Sequence, residues 1–550
     1  MVSTRKAHLI GQSYEATFQG AKTKVRSREG IFYTPPSLAR YTVSKALGHW
    51  IIKNPGKLPA IMDPACGSGA FLIEAAEWLL AETRFKPTDL LLCGVDKDSQ
   101  AVEATSEALK TIQSEIIPRI VHGNSLISKT PDTNIDSLSP VDWEEHFPFL
   151  SHNGGFDLVI ANPPYGISRG EKFHPLEKRI IEDRYDWIRS GKLNKYIAFI
   201  GLSYELLRPG GIAALIIPNS WLGIDSGKKL REFLLRSKIL KEIVVLPQDA
   251  FADPSVETVI LILEKDSCCD FFEINKLKDI KNSLIESKTI VSTSECLNLP
   301  AAIIPLNLNK ESSELINQIN NSSFALGGDD SPFQPRIAIQ AYAIGKGSPP
   351  QTESDVKDRV FDTTDRNDSD AIPYLDSKDV HPLRIDWSGN YLKYGPWLAE
   401  PQTIKRFEGP RILVREILGK SASPIIAAYT DKLFLYNKSI LHIIPRSPAA
   451  QETEMLALLG ILSSNVATLL INTLGRKSQR KLFPKLVLAD LNSFPIPQSF
   501  NANSATIAQL TRKAIESSGE QRNSALLVLN ELICQIYGIS NHQVNSIIHK

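Results

Sequence analysis

The segment "FDLVIANPPYGIS" (156–168) ends an apolar run, typical of a buried strand in a parallel sheet, with an amide, two prolines and an aromatic ring. A plain turn explains the tetrapeptide at 162–165 about as well as chemistry does, because prolines end strands and asparagine suits turns. The chemical alternative starts from the rigidity of two prolines. They would hold the side-chain oxygen of Asn162 and the carbonyl of Pro163 on one side, beside the Tyr165 ring. Two fixed acceptors beside a ring would suit a planar group that bears nitrogen.

A second candidate site lies upstream in "MDPACGSGAFL" (62–72), where small residues join a strand to a helix. Asp63 ends the strand, and glycines in the loop let the backbone approach a ligand closely. This pattern alone also fits a plain tight turn, and no GxxxxGK[ST] motif follows, so we expect no P-loop. Asp96, in "CGVDKD", ends the next strand, where an acid can bind ribose hydroxyls or cap a helix. The two acids together predict an adenosine-bearing ligand.

The elements that must position these residues alternate between strand and helix patterns from about residue 40 to 265. A strand at "AIMDP" precedes a helix at 69–82, and a strand at "LLLCGVD" precedes a helix at 99–112. This alternation predicts an α/β domain with a parallel sheet and helices on both faces. After about residue 270 the alternation stops, and short strands at 411–416 and 439–445 predict a mixed second domain.

Composition sets outer limits on the function. The chain has 550 residues, 42% of them hydrophobic and 22% charged, which is typical of a folded protein of two to four domains. No apolar run reaches 18 residues and the N-terminus lacks the apolar core of a signal peptide, so we expect no membrane contact and a cytoplasmic location. Six scattered cysteines without metal spacing predict reduced thiols and no metal site. A net charge of +1 neither announces nor excludes a nucleic-acid partner.

The ordered motifs carry a family resemblance. "GIFYTPPSLARYTV", "DPACGSGAFL", "GVDKD", "GNSL", "NPPYG" and "RPGGIAALIIPNSWL" occur in that order within residues 30–265. This order resembles the gamma-class, adenine-N6 DNA methyltransferases, in particular the TaqI-like group. "YLDSKDVHP", "RILVRE", "LGILSSNVATLLI" and "LFPKLVLADLNSFPIP" look like the C-terminal specificity domain of that group. The resemblance implies a Rossmann-like, S-adenosylmethionine-dependent methyltransferase domain followed by a mixed α+β DNA-recognition domain.

The resemblance and the change of texture together predict five parts of the chain. These are an N-terminal arm (1–29), the methyltransferase domain (30–270), a linker or insertion (271–330), the target recognition domain (331–500) and a C-terminal helical tail (501–550).

The resemblance implies S-adenosylmethionine as the cofactor, with Thr34 at its carboxylate, Asp96 at the ribose and Asn124 at the adenine amino group. Many relatives carry Asp at the position of Asn124, and an amide oxygen can still accept that hydrogen bond. Phe199 would pack on the cofactor adenine, although an ordinary core aromatic explains it equally well. The glycine loop would run along the methionine part through four residues: Asp63, Ala65, Gly67 and Gly69.

For catalysis, the resemblance implies that the Asn162 oxygen and the Pro163 carbonyl accept hydrogen bonds from N6 of an adenine flipped out of duplex DNA. That nitrogen is a poor nucleophile because its lone pair is delocalised, so orientation and electrostatics matter more than a general base. Tyr165 would stack on the extruded base. Phe251 matches the second stacking residue, and the alternative for it is a core aromatic.

The segment "NTLGRKSQRKLFPK" (472–485) is strongly basic and contains no acid. It predicts contacts to DNA phosphates, and a solvated face is the alternative. The residues concerned are Arg476, Lys477, Arg480 and Lys481.

The resulting hypothesis is a site-specific adenine-N6 DNA methyltransferase of a restriction-modification system, acting on double-stranded DNA as a monomer. No PD…(D/E)xK nuclease pattern stands out before the first methyltransferase motif, so we expect modification without cleavage, with a separate cognate restriction endonuclease as a conceivable partner. Methyltransferases of protein glutamine or ribosomal RNA share the NPPY corner and form the main alternative. Cytosine-N4 transfer and a non-enzymatic DNA-specificity subunit are further alternatives.

Overall fold

The computed structural model describes residues 2–17, 34–82, 85–129, 136–165, 174–191, 194–251, 256–367, 369–420, 423–446, 452–478 and 484–549. The chain divides into two compact units, Met1–Ile304 (unit 1) and Pro305–Lys550 (unit 2).

Unit 1 alternates strands and helices as the sequence predicts. Its strands are β1 (Ala60–Asp63), β2 (Leu91–Asp96), β3 (Arg119–His122), β4 (Asn124–Ser128), β5 (Pro140–Val141), β6 (Phe156–Ala161), β7 (Leu207–Pro218), β8 (Leu240–Val245), β9 (Thr258–Glu264), β10 (Phe271–Asp279) and β11 (Leu284–Ser292). Its helices are α1 (Val2–Thr17), α2 (Pro36–Lys53), α3 (Ala70–Ala81), α4 (Ser99–Ile112), α5 (Trp143–His146), α6 (Leu150–Asn153), α7 (Pro175–Arg184), α8 (Lys195–Leu206), α9 (Lys228–Arg236) and α10 (Thr293–Asn298).

Nine of these strands form one sheet in the order β11-β10-β8-β9-β7-β6-β1-β2-β3. Strands β3, β2, β1, β6 and β7 run parallel, whereas β9 pairs antiparallel with both β7 and β8. The four residues 158–161 of β6 are all buried, and successive side chains point to opposite faces, so both faces of the sheet are covered at β6. The strand order reverses between β1 and β6, and such a switch point is where open α/β sheets bind ligands.

The N-terminal helix α1 packs against α3 and α4, the two helices that follow β1 and β2. Tyr14 donates its hydroxyl hydrogen to Asp98 Oδ2 at 2.6 Å, and Asp98 caps α4 by accepting from the Gln100 N–H. A Cβ at Gly11 would lie 3.1 Å from Ser68 Cβ, so α1 runs close to the glycine loop. Part of the predicted arm is therefore a packed element of unit 1.

The predicted linker begins with ordered structure. Strand β10 pairs in parallel with β8, and β11 pairs with β10 in a hairpin. Both are therefore strands of the nine-stranded sheet and lie at one of its edges. The Glu242 carboxylate of β8 ties this extension together, because it accepts hydrogen bonds from Lys45 at 2.6 Å and from Asn275 of β10 at 2.6 Å. The bounds of the five parts predicted from the sequence stay predictions.

Unit 2 mixes short strands and helices. Its strands are β12 (Ser323–Ala325), β13 (Phe333–Ile337), β14 (Asp362–Thr363), β15 (Ala371–Leu375), β16 (Val380–His381), β17 (Arg384–Ile385), β18 (Tyr391–Lys393), β19 (Arg411–Arg415), β20 (Ala427–Thr430), β21 (Leu435–Tyr436), β22 (Ile440–Pro445) and β23 (Pro495–Pro497). Its helices are α11 (Lys310–Asn321), α12 (Glu353–Asp358), α13 (Glu452–Leu462), α14 (Asn465–Leu474), α15 (Leu488–Asn492), α16 (Phe500–Glu516), α17 (Gly519–Ile536) and α18 (Asn541–Ile548).

Two small four-stranded sheets organise unit 2, one ordered β13-β22-β19-β20 and the other β14-β18-β15-β21. Their buried side chains meet in one apolar cluster that includes Tyr374, Leu413 and Tyr436. The C-terminal helices α16 and α17 pack on each other, and α16 packs on α13. This is the mixed α+β arrangement that the sequence predicts.

Within the described ranges, no single helix has the length and hydropathy of a membrane span, and only the bent pair α13–α14 passes when its two helices are taken together. Nor do the described residues contain a group of three or more His, Cys, Asp or Glu side chains placed to hold a metal ion.

Candidate active site

The two candidate motifs meet at the carboxyl edge of the sheet. Asp63 is the last residue of β1, and the NPPY corner at 162–165 follows the last residue of β6. Strands β1 and β6 are parallel neighbours, with Met62 opposite Val159. Their carboxyl ends therefore lie side by side at the switch point, and the two motifs that are about 100 residues apart in the sequence form one site.

The glycine loop is held by the acids at the two strand ends. Asp63 Oδ1 accepts the Ala65 N–H at 3.0 Å, and Asp96 Oδ2 accepts the Gly67 N–H at 2.8 Å. Asp96 Oδ1 accepts the Asp98 N–H at 2.9 Å. Each carboxylate oxygen has a second lone pair, so Asp96 can accept further hydrogen bonds from a ligand.

The two predicted glycines of this loop serve different needs. Both have left-handed backbones, with φ of +52° at Gly67 and +85° at Gly69. A Cβ at Gly69 would lie 2.8 Å from Thr105 Cγ2, so Gly69 lets α3 start close to α4, whereas a Cβ at Gly67 would meet nothing within 4 Å. Gly67 therefore borders open space, and its carbonyl is held by the Thr105 hydroxyl at 2.7 Å.

The two acids create an environment that favours hydrogen-bond donors and positive charge. Burial raises the pKa of the Asp63 carboxyl well above its usual range, and the nearby Asp96 carboxylate raises that pKa further. Burial also raises the pKa of Asp96. In the described part of the chain, the buried Asp63 Oδ2 has no hydrogen-bond partner. S-adenosylmethionine offers ribose hydroxyls and a cationic methionine part, so these residues fit that cofactor.

Thr34 lies next to the NPPY corner. The Asn162 Nδ2 donates a hydrogen bond to Thr34 Oγ1 at 3.0 Å, and Thr34 is buried. This contact engages the nitrogen of the Asn162 amide, so the acceptor atom of that side chain is its Oδ1. The resemblance assigned Thr34 to the cofactor carboxylate, and the contact with Asn162 is one that the sequence did not predict.

The remaining residues of the corner are buried. Pro163 is buried, and Tyr165 is 9% exposed. Burial raises the pKa of the Tyr165 hydroxyl, which keeps it neutral. Phe251 is also 9% exposed and belongs to the apolar cluster of unit 1, together with Leu246 and Ala250. This packing accords with its alternative as a core aromatic, and its role in stacking stays a prediction.

Asn124 lies at the start of β4 and is buried. Its Oδ1 accepts the Leu126 N–H at 3.3 Å, and its Nδ2 donates to Glu177 Oε1 at 3.0 Å. Glu177 was not among the sequence candidates, because a contact over 53 residues leaves no local signal. Phe199 is buried on α8, which packs against β4 and β7.

A second pair of hydrogen-bonded residues at the same edge of the sheet was also not predicted from the sequence. Strand β7 ends at Pro218 opposite Thr258, the first residue of β9. Next to this pair, Asn219 donates to the Glu257 side chain at 2.9 Å and its N–H donates to the Glu257 carbonyl at 2.9 Å. Both residues lie beyond strand ends, where antiparallel pairing brings them together.

The basic segment of unit 2 is only partly described. Arg476 has a side chain that is 8% exposed, and its Nε lies 3.8 Å from Asp490 Oδ1. The Lys477 carbonyl accepts the Lys485 N–H at 3.0 Å. Arg480 and Lys481 lie outside the described residues. The burial of Arg476 beside an acid indicates a structural role for its guanidinium.

Comparison with known families covers both units. The model described as N-6 DNA Methylase matches residues 5–297, more than half of the chain. The chain belongs to the N-6 DNA methylase family. A TaqI-like C-terminal specificity domain also matches, over residues 372–496. These matches confirm the family resemblance and its second domain.

The curated relatives of the chain include restriction-modification proteins. It is 29% identical over 280 residues to the "Type II restriction enzyme and methyltransferase RM.Eco57I" of Escherichia coli, covering 42% of this chain and 27% of that one. It is 24% identical over 473 residues to the "Type II methyltransferase M.TthHB8I" of Thermus thermophilus, and the match covers 85% of this chain and 90% of that one. The chain spans only about a quarter to a half of the length of the first few relatives that it matches.

Solved structures support the fold. The Type IIL restriction-modification enzyme MmeI, solved in complex with DNA, matches with a TM-score of 0.64 at 13% identity, covering 98% of this chain and 80% of that one. The Type ISP enzyme LlaBIII, bound to DNA, matches with a TM-score of 0.58 at 13% identity, and the match covers 94% of this chain and 41% of that one. The expected α/β methyltransferase architecture is therefore confirmed.

Proposed function

We propose that this N-6 DNA methylase transfers a methyl group from S-adenosylmethionine to N6 of an adenine extruded from duplex DNA. The observation that carries the proposal is the Asn162 amide, fixed through its nitrogen by Thr34 at the switch point beside the glycine loop. An amide fixed in this way presents its oxygen as an acceptor for an amino group. Modification within a restriction-modification system is the role that the named relatives favour.

The chain's own residues account for most of the chemistry. The cofactor, when bound, supplies a methyl group made electrophilic by its sulfonium. Asn162 Oδ1 and the Pro163 carbonyl would accept hydrogen bonds from the two N6–H groups, which favours a pyramidal nitrogen with a localised lone pair. As positive charge develops on N6, the same two oxygens stabilise it. Neither oxygen needs to remove the proton, which leaves to solvent after methyl transfer.

The extruded base needs a stacking partner, because unstacking and unpairing cost a few kcal/mol. We assign this role to Tyr165, whose neutral phenol ring borders the acceptor corner, with Phe251 as the second stacking residue. Stacking on an aromatic ring contributes about 1–3 kcal/mol per base, which offsets part of the cost of extrusion.

Unit 2 supplies the choice of DNA site in this proposal, since residues 372–496 match a specificity domain. Lys477, Arg480 and Lys481 contact phosphates, which gives affinity without sequence information. The burial of Arg476 beside Asp490 favours a structural role for that residue. We further propose that the protein acts in the cytoplasm as a monomer, with a separate restriction endonuclease as its partner.

The test is methylation of plasmid DNA in a host that lacks adenine and cytosine-N4 methylation, read by single-molecule sequencing. The wild-type chain should mark adenines within one sequence motif, and Asn162→Ala should leave the DNA unmodified at equal expression. Marks on cytosine would replace adenine by cytosine-N4 as the target. Unmodified DNA combined with methylated ribosomal RNA or protein glutamine would overturn the DNA proposal.

A further inference from the structure

Glu177 is a carboxylate at the candidate cofactor site that neither the sequence motifs nor the family match assigns. It lies in the first turn of α7, and α7 packs against β4. Two donors meet its Oε1 atom: Asn124 Nδ2 at 3.0 Å and Lys97 Nζ at 2.9 Å. Its side chain is 12% exposed, whereas that of Lys97 is 57% exposed. Glu177 therefore faces inward and Lys97 approaches it from the surface.

The two donors come from the strand ends that surround the adenosine part of the cofactor in the proposed function. Lys97 follows Asp96, the ribose candidate at the end of β2. Asn124 begins β4 directly after β3, which pairs in parallel with β2. Glu177 joins these two positions from a third element, so its carboxylate lies beside the place where a purine attached to that ribose would lie.

Asn124 is the weaker of the two acceptors at this position. Its oxygen accepts the Leu126 N–H and keeps a second lone pair, and its nitrogen is turned to Glu177. A purine amino group needs an acceptor, and a carboxylate accepts more strongly than an amide. Within the described residues, both donors meet Oε1, and Glu177 Oε2 has no hydrogen-bond partner.

We propose that Glu177 recognises the adenine of the cofactor, its Oε2 accepting a hydrogen bond from the exocyclic 6-amino group. Asn124 and Lys97 are positioning residues that hold the carboxylate in place. The inference rests on the proposed function, since it presumes that S-adenosylmethionine binds at this site.

The simpler alternative is that Glu177 only stabilises α7. An acid in the first turn of a helix interacts favourably with the helix dipole, and a pair with an exposed lysine contributes little. In that case its removal would weaken all ligands equally, because the purine edge would not be contacted. The chemical nature of position 6 of the purine therefore separates the two explanations.

The experiment is calorimetry on the full-length protein with S-adenosylhomocysteine and two analogues. One analogue carries unsubstituted purine and lacks the amino group, and the other carries hypoxanthine with a 6-oxo group. The wild type should bind S-adenosylhomocysteine about tenfold or more above either analogue, as expected for a hydrogen bond to a charged acceptor. Glu177→Ala should lose most of this preference, with little change in the affinity for the purine analogue.

Glu177→Gln supplies a gain of function. The glutamine Nε2 can donate to the 6-oxo group, so this variant should bind the hypoxanthine analogue several-fold more tightly than the wild type does. Lys97→Ala should reduce the preference for adenine over purine, which a role in helix stability alone would not change. Asp183→Ala is the matched control, because Asp183 lies on the same helix, pairs only with Arg179 among the described residues and is exposed.

Two results would overturn the inference in distinguishable ways. If Glu177→Ala weakens S-adenosylhomocysteine and the purine analogue by the same factor, Glu177 does not read the amino group although the cofactor still binds. If the wild type binds none of the three ligands, the proposed cofactor itself is wrong and the inference falls with it.

Discussion

At the scale of single residues, the Thr34–Asn162 hydrogen bond separates two roles for Thr34. The resemblance places Thr34 at the cofactor carboxylate, whereas the structure places its hydroxyl on the Asn162 amide. If it orients the amide, Thr34→Val should lower kcat about fivefold, in line with the loss of about 1 kcal/mol for one hydrogen bond, with little change in the KM for S-adenosylmethionine. Thr34→Ser retains the hydroxyl and is the control. If Thr34→Val raises only the KM for S-adenosylmethionine, Thr34 instead contacts the cofactor carboxylate.

Asn162→Ala removes the acceptor itself and should have a larger effect on the chemical step. We expect a fall in kcat of about 100-fold or more, as for the loss of one preorganised electrostatic group at a reacting centre. DNA binding, measured by fluorescence anisotropy, should stay near the wild-type level. A variant with near-normal turnover would remove Asn162 from the mechanism.

Asp63 makes a prediction about stability. Burial raises its pKa in the folded state above the value of about 4 in the unfolded chain, so the folded protein binds more protons. Its contribution to stability is therefore lost as the pH rises from about 4 through the folded pKa. In the protein without cofactor, Asp63→Asn should raise Tm at pH 8 more than at pH 5. The same variant should weaken cofactor binding, which calorimetry would measure.

At the scale of elements, the turn between β1 and α3 depends on Gly69. Gly69→Ala forces a left-handed backbone on a residue with a side chain, which costs about 1–2 kcal/mol, and its Cβ would overlap Thr105 Cγ2. Thr105→Ser removes that methyl group and keeps the hydroxyl that holds the Gly67 carbonyl. The double variant should therefore recover part of the lost free energy of unfolding in urea. If the effects of the two substitutions on the free energy of unfolding are simply additive, the overlap between the new Cβ and Thr105 Cγ2 does not contribute to the loss of stability.

The sequence was sufficient for the elements that carry strong periodicity or fixed motifs. Apolar runs predicted β1, β2 and β6, and the small-residue loop and the NPPY corner were predicted at strand ends that the structure places side by side. The extension by β10 and β11 was not predicted, because β11 is largely exposed and has no apolar alternation to reveal it. The pairs Asn124–Glu177 and Asn219–Glu257 depend on tertiary approach, so their spacing in the sequence carries no signal.

At the scale of the whole molecule, affinity for DNA and the choice of its sequence should be separable. Lys477→Ala combined with Arg480→Ala should weaken binding on all sequences. The slope of log affinity against log salt should fall by about 0.9 for each DNA phosphate that the variant no longer neutralises. Arg476→Ala should leave that slope unchanged, because its guanidinium lies against Asp490. If the wild type and the double variant show equal slopes of log affinity against log salt, the basic segment is a solvated surface that does not contact DNA phosphates.

Base extrusion links DNA binding to the chemistry at the NPPY corner. If Tyr165 and Phe251 hold an extruded adenine, the enzyme should bind a duplex more tightly when the target base is mispaired, because a mispair lowers the cost of extrusion and leaves the pocket contacts intact. A 2-aminopurine at the target position should brighten on binding, since it leaves the stack of its neighbours. Stacking on the two aromatic rings quenches part of that signal.

Phe251→Ala is the variant that tests the aromatic contact. It should change the brightness of the bound 2-aminopurine and weaken binding by about 1–3 kcal/mol at most, the range for one base stacked on one ring. A residue that served only the apolar core would instead lower the free energy of unfolding and leave the brightness unchanged, so urea denaturation is measured alongside. Asn162→Ala should keep the brightening while it lowers kcat about 100-fold or more, because extrusion precedes the chemical step. Equal binding of paired and mispaired targets, with 2-aminopurine dark in every variant, would contradict base flipping and favour a target that needs no extrusion, such as a glutamine side chain or an unpaired RNA base.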